Sequence, residues 1–162
     1  MQIRNMTETD HPSVQAIYQE GIATGHATFE TSAPAWEDWD AEHISSCRLV
    51  AINDEKIEGW AALSPVSGRC IYAGVAEVSV YVAATARGKG VGKQLLQALI
   101  DASEEAGIWT LQSGVFPENI ASIRLNETLG FREIGYREKI GKMNGVWRDV
   151  VLLERRSTVV GV

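Results

Sequence analysis

Residues 87–92 read RGKGVG and lead straight into KQLLQALIDA, an apolar run with helical spacing. Glycines at a strand-to-helix junction leave backbone N–H groups open at the positive end of a helix dipole, which is the basis of an anion site. A Cβ would hold a ligand away from that backbone, and Gly88, Gly90 and Gly92 have none. Arg87 and Lys89 add side-chain charge beside the amides. Just upstream, VAEVSVYVA carries a single carboxylate, Glu77. Alternation along a strand points Glu77 with Ser79 and Tyr81, opposite Val78, Val80 and Val82. Apolar neighbours raise a carboxyl pKa toward values useful for proton transfer. The plain alternatives are a loop with a helix start, and a strand-edge glutamate in water.

Two familiar phosphate motifs fail on spacing. A P-loop needs GxxxxGK and then Ser or Thr, but Arg87 stands five before Gly92 and Gln94 follows Lys93. A dinucleotide fingerprint needs GxGxxG, and the third glycine is replaced by Lys93 in one frame and by Leu95 in the other.

The pattern that fits is Arg-x-x-Gly-x-Gly over Arg87, Gly90 and Gly92, with a β-branched strand before it and an amphipathic helix after it. It resembles the pyrophosphate-binding signature of the GNAT superfamily of acyl-CoA-dependent N-acetyltransferases. PENIASIRLNETLGF is similar to that family's second cofactor segment, with Asn119 near a helix start and Gly-Phe at its end. ATFET, YAGVAEVSVYV, RLNETLGF and GVWRDVVLLER resemble the branch of phosphinothricin and methionine sulfoximine acetyltransferases. The resemblance extends over most of the chain.

That resemblance implies acetyl-CoA as cosubstrate, no metal, and a small amine acceptor, an amino acid analogue. It implies Glu77 as base. It also implies a strand that splays from its neighbour, freeing backbone groups of Val80, Tyr81 and Val82 for the pantetheine and the thioester carbonyl. The cofactor contacts expected are those residues with Arg87, Gly88, Lys89, Gly90, Val91, Gly92, Asn119 and Asn126. Many members carry a tyrosine five residues before the Phe of the Gly-Phe pair, as acid toward the departing thiolate. Here that position is Asn126, which has no ionisable proton but whose amide donates hydrogen bonds. For the acceptor, the resemblance implies Phe29 and Glu30, and Arg69 three residues before Tyr72. A guanidinium suits a carboxylate or a tetrahedral acid. Ala73 and Val75 stand where relatives often carry Arg and Thr, which departs from a strict phosphinothricin pattern. Lys142 and Trp147 are expected on the far wall, across the interface of a homodimer. His26 and His43 read as capping or packing residues.

These residues must be positioned by the elements around them. QIRNM reads as a strand, and HPSVQAIYQEGIATG as a helix on Val14, Ile17, Tyr18 and Ile22, with Asp10 as N-cap. PAWEDWDAEHI reads as a short helix with Trp36, Trp39 and His43 on one face. RLVAI and EGWAALSPV flank NDEK as a hairpin. The long helix after the glycine loop carries Val91, Leu95, Leu99, Ala102 and Ala106 on one side and ends at Gly107. WTLQSGVF reads as a strand, and REIGYREKI and WRDVVLLER as two more around a turn at GKMNG. The expected fold is α+β (α/β), the GNAT fold, with a central twisted, mixed but mostly antiparallel sheet flanked by about four helices.

At 162 residues, 45% hydrophobic and 22% charged, the chain fits a single domain over 1–162. Its net charge of −6 speaks against a general nucleic-acid surface. Cys47 and Cys70 show no metal or redox spacing; a disulfide between them stays open, and the favoured reading is buried or idle thiols in a reducing compartment. With no signal sequence and no membrane span, the expected location is cytoplasmic.

Overall fold

The computed structural model describes residues 1–162. Seven strands form one sheet: β1 (Gln2–Asn5), β2 (Leu49–Asn53), β3 (Lys56–Pro65), β4 (Val75–Val82), β5 (Thr110–Val115), β6 (Arg132–Met143) and β7 (Val146–Arg156). Four helices flank it: α1 (His11–Ala23), α2 (Trp36–Glu42), α3 (Val91–Glu105) and α4 (Ile120–Thr128). The strand order is β1-β2-β3-β4-β5-β7-β6. Every neighbouring pair is antiparallel except β4 with β5. The mixed, mostly antiparallel expectation holds.

Two adjacent residues of β3 divide the helices between the sheet's faces. A Cβ on Gly59 would lie 2.8 Å from Leu95 and 3.3 Å from Val91, so this face receives α3. The Trp60 ring, one residue on and therefore on the opposite face, packs against Trp39 of α2 and Tyr18 of α1. Trp39, Trp60, Leu63, Leu95, Leu96, Leu99, Ile100 and Leu153 are the large side chains fully enclosed. Trp36, Trp39 and His43 stack in sequence, as their spacing predicts.

Some local expectations need correction. Asp10 does not cap α1 with its side chain. Its carboxylate instead accepts two hydrogen bonds from Arg4, at 2.7 and 2.8 Å, and one from the Thr7 N–H at 2.8 Å. The buried stripe of α3 runs Val91, Leu95, Leu99, Ser103 with Leu96 and Ile100, leaving Ala102 half-buried and Ala106 exposed. Strict i+4 steps lead to Ser103, whose hydroxyl donates to the Ile100 carbonyl and so tolerates burial. β6 extends to Met143, so the turn is only Asn144–Gly145, both at positive φ as a two-residue hairpin of this hand requires. Cys47 and Cys70 are free thiols.

Candidate active site

β4 and β5 are paired at Val75–Thr110, Ala76–Leu111 and Glu77–Gln112, and no further. Beyond Glu77, β4 stays bonded to β3 alone, through Val82 opposite Gly59. The two parallel strands therefore part at the candidate base. Gly74 offers its carbonyl toward β5, whereas Val75 and Ala83 bond toward β3. Alternation then turns the backbone groups of Val78, Val80 and Val82 into the gap, with no strand to receive them. The backbone of Tyr81 falls on the β3 side, against the expectation that it is open, and that of Val78 faces the gap instead.

A cleft of about 770 Å³ opens at this parting. From the α3 side it is lined by Gly92, Leu96, Ser122, Leu125 and Asn126, and from the α1 side by Tyr18, Phe29, Glu30, Glu77 and Val150. The gap between strands joins the two faces of the sheet.

On the first face, Arg87 to Gly90 lead into α3. Gly88 and Gly90 sit at φ +78° and +81°, and nothing lies within 4 Å of where a Cβ would stand on either. Gly90 is the N-cap, and no side chain caps the helix. The first intrahelical bond is from the Gln94 N–H to the Gly90 carbonyl, leaving the amides of Val91, Gly92 and Lys93 without helical acceptors. Uncapped amides, no acidic residue in the first turn and Arg87 at the rim fit a pyrophosphate. Val91 contributes only its backbone, since its side chain is buried in the core. Lys89 is exposed.

α4 forms the facing wall. Asn119 caps it by accepting from the Ser122 N–H, and its amide donates to the His26 carbonyl at 3.3 Å. It thus ties the 24–30 segment to the cleft as well as lining it. Asn126 is 4% exposed. Its amide donates to the Ser122 carbonyl at 2.7 Å, while its Oδ1 is buried with no partner. Asn126 is among the residues lining the cleft, and a pantetheine N–H or a thiol S–H reaching that orphan acceptor would satisfy it.

On the second face, Glu77 is half-buried, and burial pushes its carboxyl above the ordinary range, against Gln112 and the positive charge of Arg137. Tyr81 packs rather than reacts: its ring stacks on Tyr18 at 4.8 Å and Trp60 at 4.9 Å, and burial drives its hydroxyl pKa well up. Phe29 meets Phe116 edge-on at 4.9 Å and occupies the space that a side chain on Gly141 would take, 2.8 Å from the ring. Glu30, Glu42, Glu77 and Glu118 all line the cleft, and Arg87 is the one lysine or arginine that does.

Arg69 and Tyr72 lie elsewhere. They pack on each other at 5.5 Å in the exposed β3–β4 connection and do not line the cleft of the single chain. Lys142 and Trp147 likewise pair on the exposed hairpin end, 5.7 Å apart. His26 and His43 line the cleft, but both are engaged: His43 Nδ1 with the Trp39 carbonyl, His26 Nδ1 with Arg148. Arg148 escaped the reading of the sequence. Its side chain is 11% exposed, lies 4.0 Å from the Phe116 ring and holds the Gly25 carbonyl and Glu118. No local pattern marks it, because its partners are more than a hundred residues away at Gly25 and His26.

Residues 8–131 match the model of the acetyltransferase (GNAT) family. The chain belongs to the GNAT acetyltransferases. It is 35% identical to the phosphinothricin N-acetyltransferase of Alcaligenes faecalis, over 94% of this chain and 81% of that protein. It is 30% identical to the L-methionine sulfoximine/L-methionine sulfone acetyltransferase of Pseudomonas aeruginosa, over 94% and 92%. The crystal structure of a phosphinothricin acetyltransferase from Sinorhizobium meliloti in complex with AcCoA superposes with a TM-score of 0.89 at 26% identity, covering 99% of this chain and 90% of that one. This acetyltransferase uses acetyl-CoA, and it contains no cluster of ligating side chains for a metal.

Proposed function

We propose that this acetyltransferase acetylates the α-amino group of a small amino acid analogue of the phosphinothricin or methionine sulfoximine kind, by direct transfer, with Glu77 as base. The observation that carries the proposal is the end of β4–β5 pairing at Glu77, which joins the uncapped amides of α3 to a half-buried carboxylate through one cleft. The names of the relatives support the acceptor class.

Acetyl-CoA supplies an activated acyl group as a thioester. The open amides at the start of α3, with Arg87, hold the diphosphate. Unpaired backbone groups of Val78, Val80 and Val82 receive the pantetheine amides, and an N–H among them opposes charge developing on the acyl oxygen. An α-amino group has a pKa of about 7.7–8.0, so a fraction is already neutral near pH 7 and Glu77 takes the remaining proton, directly or through one water. The Asn126 amide is already given to the Ser122 carbonyl and its free Oδ1 can only accept, so the residue serves to hold an S–H or an amide rather than to donate an acid proton, and water protonates the thiolate.

A second reading has a specific observation behind it: four carboxylates and a single arginine line the cleft, which suits an amine with further positive charge, such as a polyamine. Thiol release from acetyl-CoA with methionine sulfoximine, methionine sulfone, phosphinothricin, spermidine and an aminoglycoside separates the two. Turnover confined to the cationic amines refutes the amino acid reading. Tight coenzyme A binding with no turnover of any amine leaves a sensor module instead.

We further propose one catalytic unit over 1–162, a cytoplasmic location and a homodimer. No helix is long and apolar enough to cross a membrane. Ile134, Tyr136, Ile140, Val146 and Trp147 are exposed along β6 and β7, with β6 an edge strand of 12 residues paired on one side only. Such an edge is normally covered. Light scattering tests the dimer, and Trp147→Lys should shift it toward monomer.

A further inference from the structure

A zwitterionic acceptor needs a cation opposite the base, and Arg69, the arginine expected from sequence, lies outside the cleft of the chain. Strand register points to another. Glu77 Oε1 lies 3.5 Å from the Cβ position of Gly114, and that same position is 3.4 Å from Val150 Cγ1. Val150 lines the cleft and stands directly opposite Arg137 on β6. Directly opposed residues share a face, with Cβ atoms about 4.5–5.5 Å apart. Arg137 therefore stands on the same sheet face as Glu77, across a floor that Gly114 leaves open and just beyond the residues that line the cleft, whereas Arg69 sits on the exposed β3–β4 connection.

The guanidinium is unengaged. Of the five arginines on β6 and β7, Arg132, Arg148 and Arg155 form ion pairs and Arg156 holds backbone carbonyls. Arg137 has no hydrogen bond or ion pair and is exposed. Its backbone, by contrast, is pinned. The ladder slips between Arg137 and Gly141, and Asp149 accepts from the Tyr136 hydroxyl before the slip and from the Lys139 N–H within it. The anchored main chain fixes where this free guanidinium is rooted, and its planar fork suits a carboxylate or phosphinate. Its charge also reaches Glu77, whose upward pKa shift it opposes.

We propose that Arg137 receives the anionic group of the acceptor, so that the enzyme selects amines carrying a carboxylate or phosphinate on the side away from Glu77. This rests on the amino acid reading above and assigns its specificity to a residue that the sequence had not singled out. Glu77 orients the amine at one end, Arg137 the anion at the other.

The test is steady-state kinetics of wild type, Arg137→Leu and Arg137→Lys with methionine sulfone and with its carboxamide. A charge-assisted hydrogen bond is worth about 1.5–3 kcal/mol, so Arg137→Leu should raise the KM for methionine sulfone by about 10- to 150-fold, chiefly in KM rather than kcat. Arg137→Lys should recover part of the loss, and the carboxamide should show no comparable rise. Coenzyme A affinity, followed in the same samples, reports an intact fold. An unchanged KM in Arg137→Leu, or an equal rise for the carboxamide, overturns the role of Arg137 while the amino acid reading stands. A wild-type enzyme that acetylates spermidine but neither sulfone nor sulfoximine overturns both.

Discussion

Replacing Glu77 with Gln keeps the side chain's size and its place beside Gln112 but removes the proton acceptor. General-base assistance is commonly worth about 10²–10⁴-fold, and the lower end applies here because the acceptor amine is already close to neutral at working pH. With an amine pKa of about 7.8, about 14% is neutral at pH 7 and about 94% at pH 9. The variant can use only that neutral fraction, so a defect of about 100-fold at pH 7, about 2.7 kcal/mol of barrier, should narrow to about 15-fold at pH 9. In the wild type, burial raises the Glu77 pKa, so the acidic limb of kcat/KM should lie above the ordinary carboxylate range, with activity rising as Glu77 loses its proton. The assay is thiol release at saturating acetyl-CoA and limiting acceptor from pH 5.5 to 9.5, with coenzyme A affinity as control. A Glu77→Gln enzyme that retains the acidic limb, or whose defect does not shrink with pH, refutes the base role.

Gly90→Ala meets no clash but forces an L side chain to φ +81°, at about 1–2 kcal/mol, so coenzyme A affinity measured by titration calorimetry should fall by about 5- to 30-fold. Gly141→Ala would put a methyl 2.8 Å from the Phe29 ring; thermal melts should show about 1–3 kcal/mol lost, and the acceptor KM should rise more than that for acetyl-CoA. Asp10→Ala removes the two bonds from Arg4 and the Thr7 cap, at about 1–2 kcal/mol given a partly exposed Arg4. Arg4 holds the Asp10 carboxyl below its usual value, so this stabilisation is fully present above about pH 4 and disappears as pH falls through the lowered pKa. Circular dichroism melts from pH 7 down to pH 2 should therefore show the separation between wild type and Asp10→Ala shrink as the pH falls below about 4.

Local chemistry made much of this protein legible as a sequence. The open, positively charged start of α3 could be read from RGKGVG, because positive-φ glycines and uncapped helix amides are properties of adjacent residues. Glu77 was legible for a similar reason, as a lone carboxylate in a β-branched strand whose side-chain alternation is fixed by backbone geometry. Trp36, Trp39 and His43 declared one helix face by spacing alone. Tertiary structure decided what depends on distant segments meeting. The parting of β4 from β5 needs the register of strands more than thirty residues apart, and it decides which backbone groups are open, Val78 rather than Tyr81. Asp10 looked like a cap for α1, but its carboxylate turns back to Arg4 and to the Thr7 N–H, partners that the spacing of the helix does not reveal. Arg69 carried the right charge in an exposed loop, whereas Arg137 and Arg148 gain their place only because β6 and β7 fold back beside β5. A side chain's charge is written in the chain; the face of the sheet on which it stands is set by pairing.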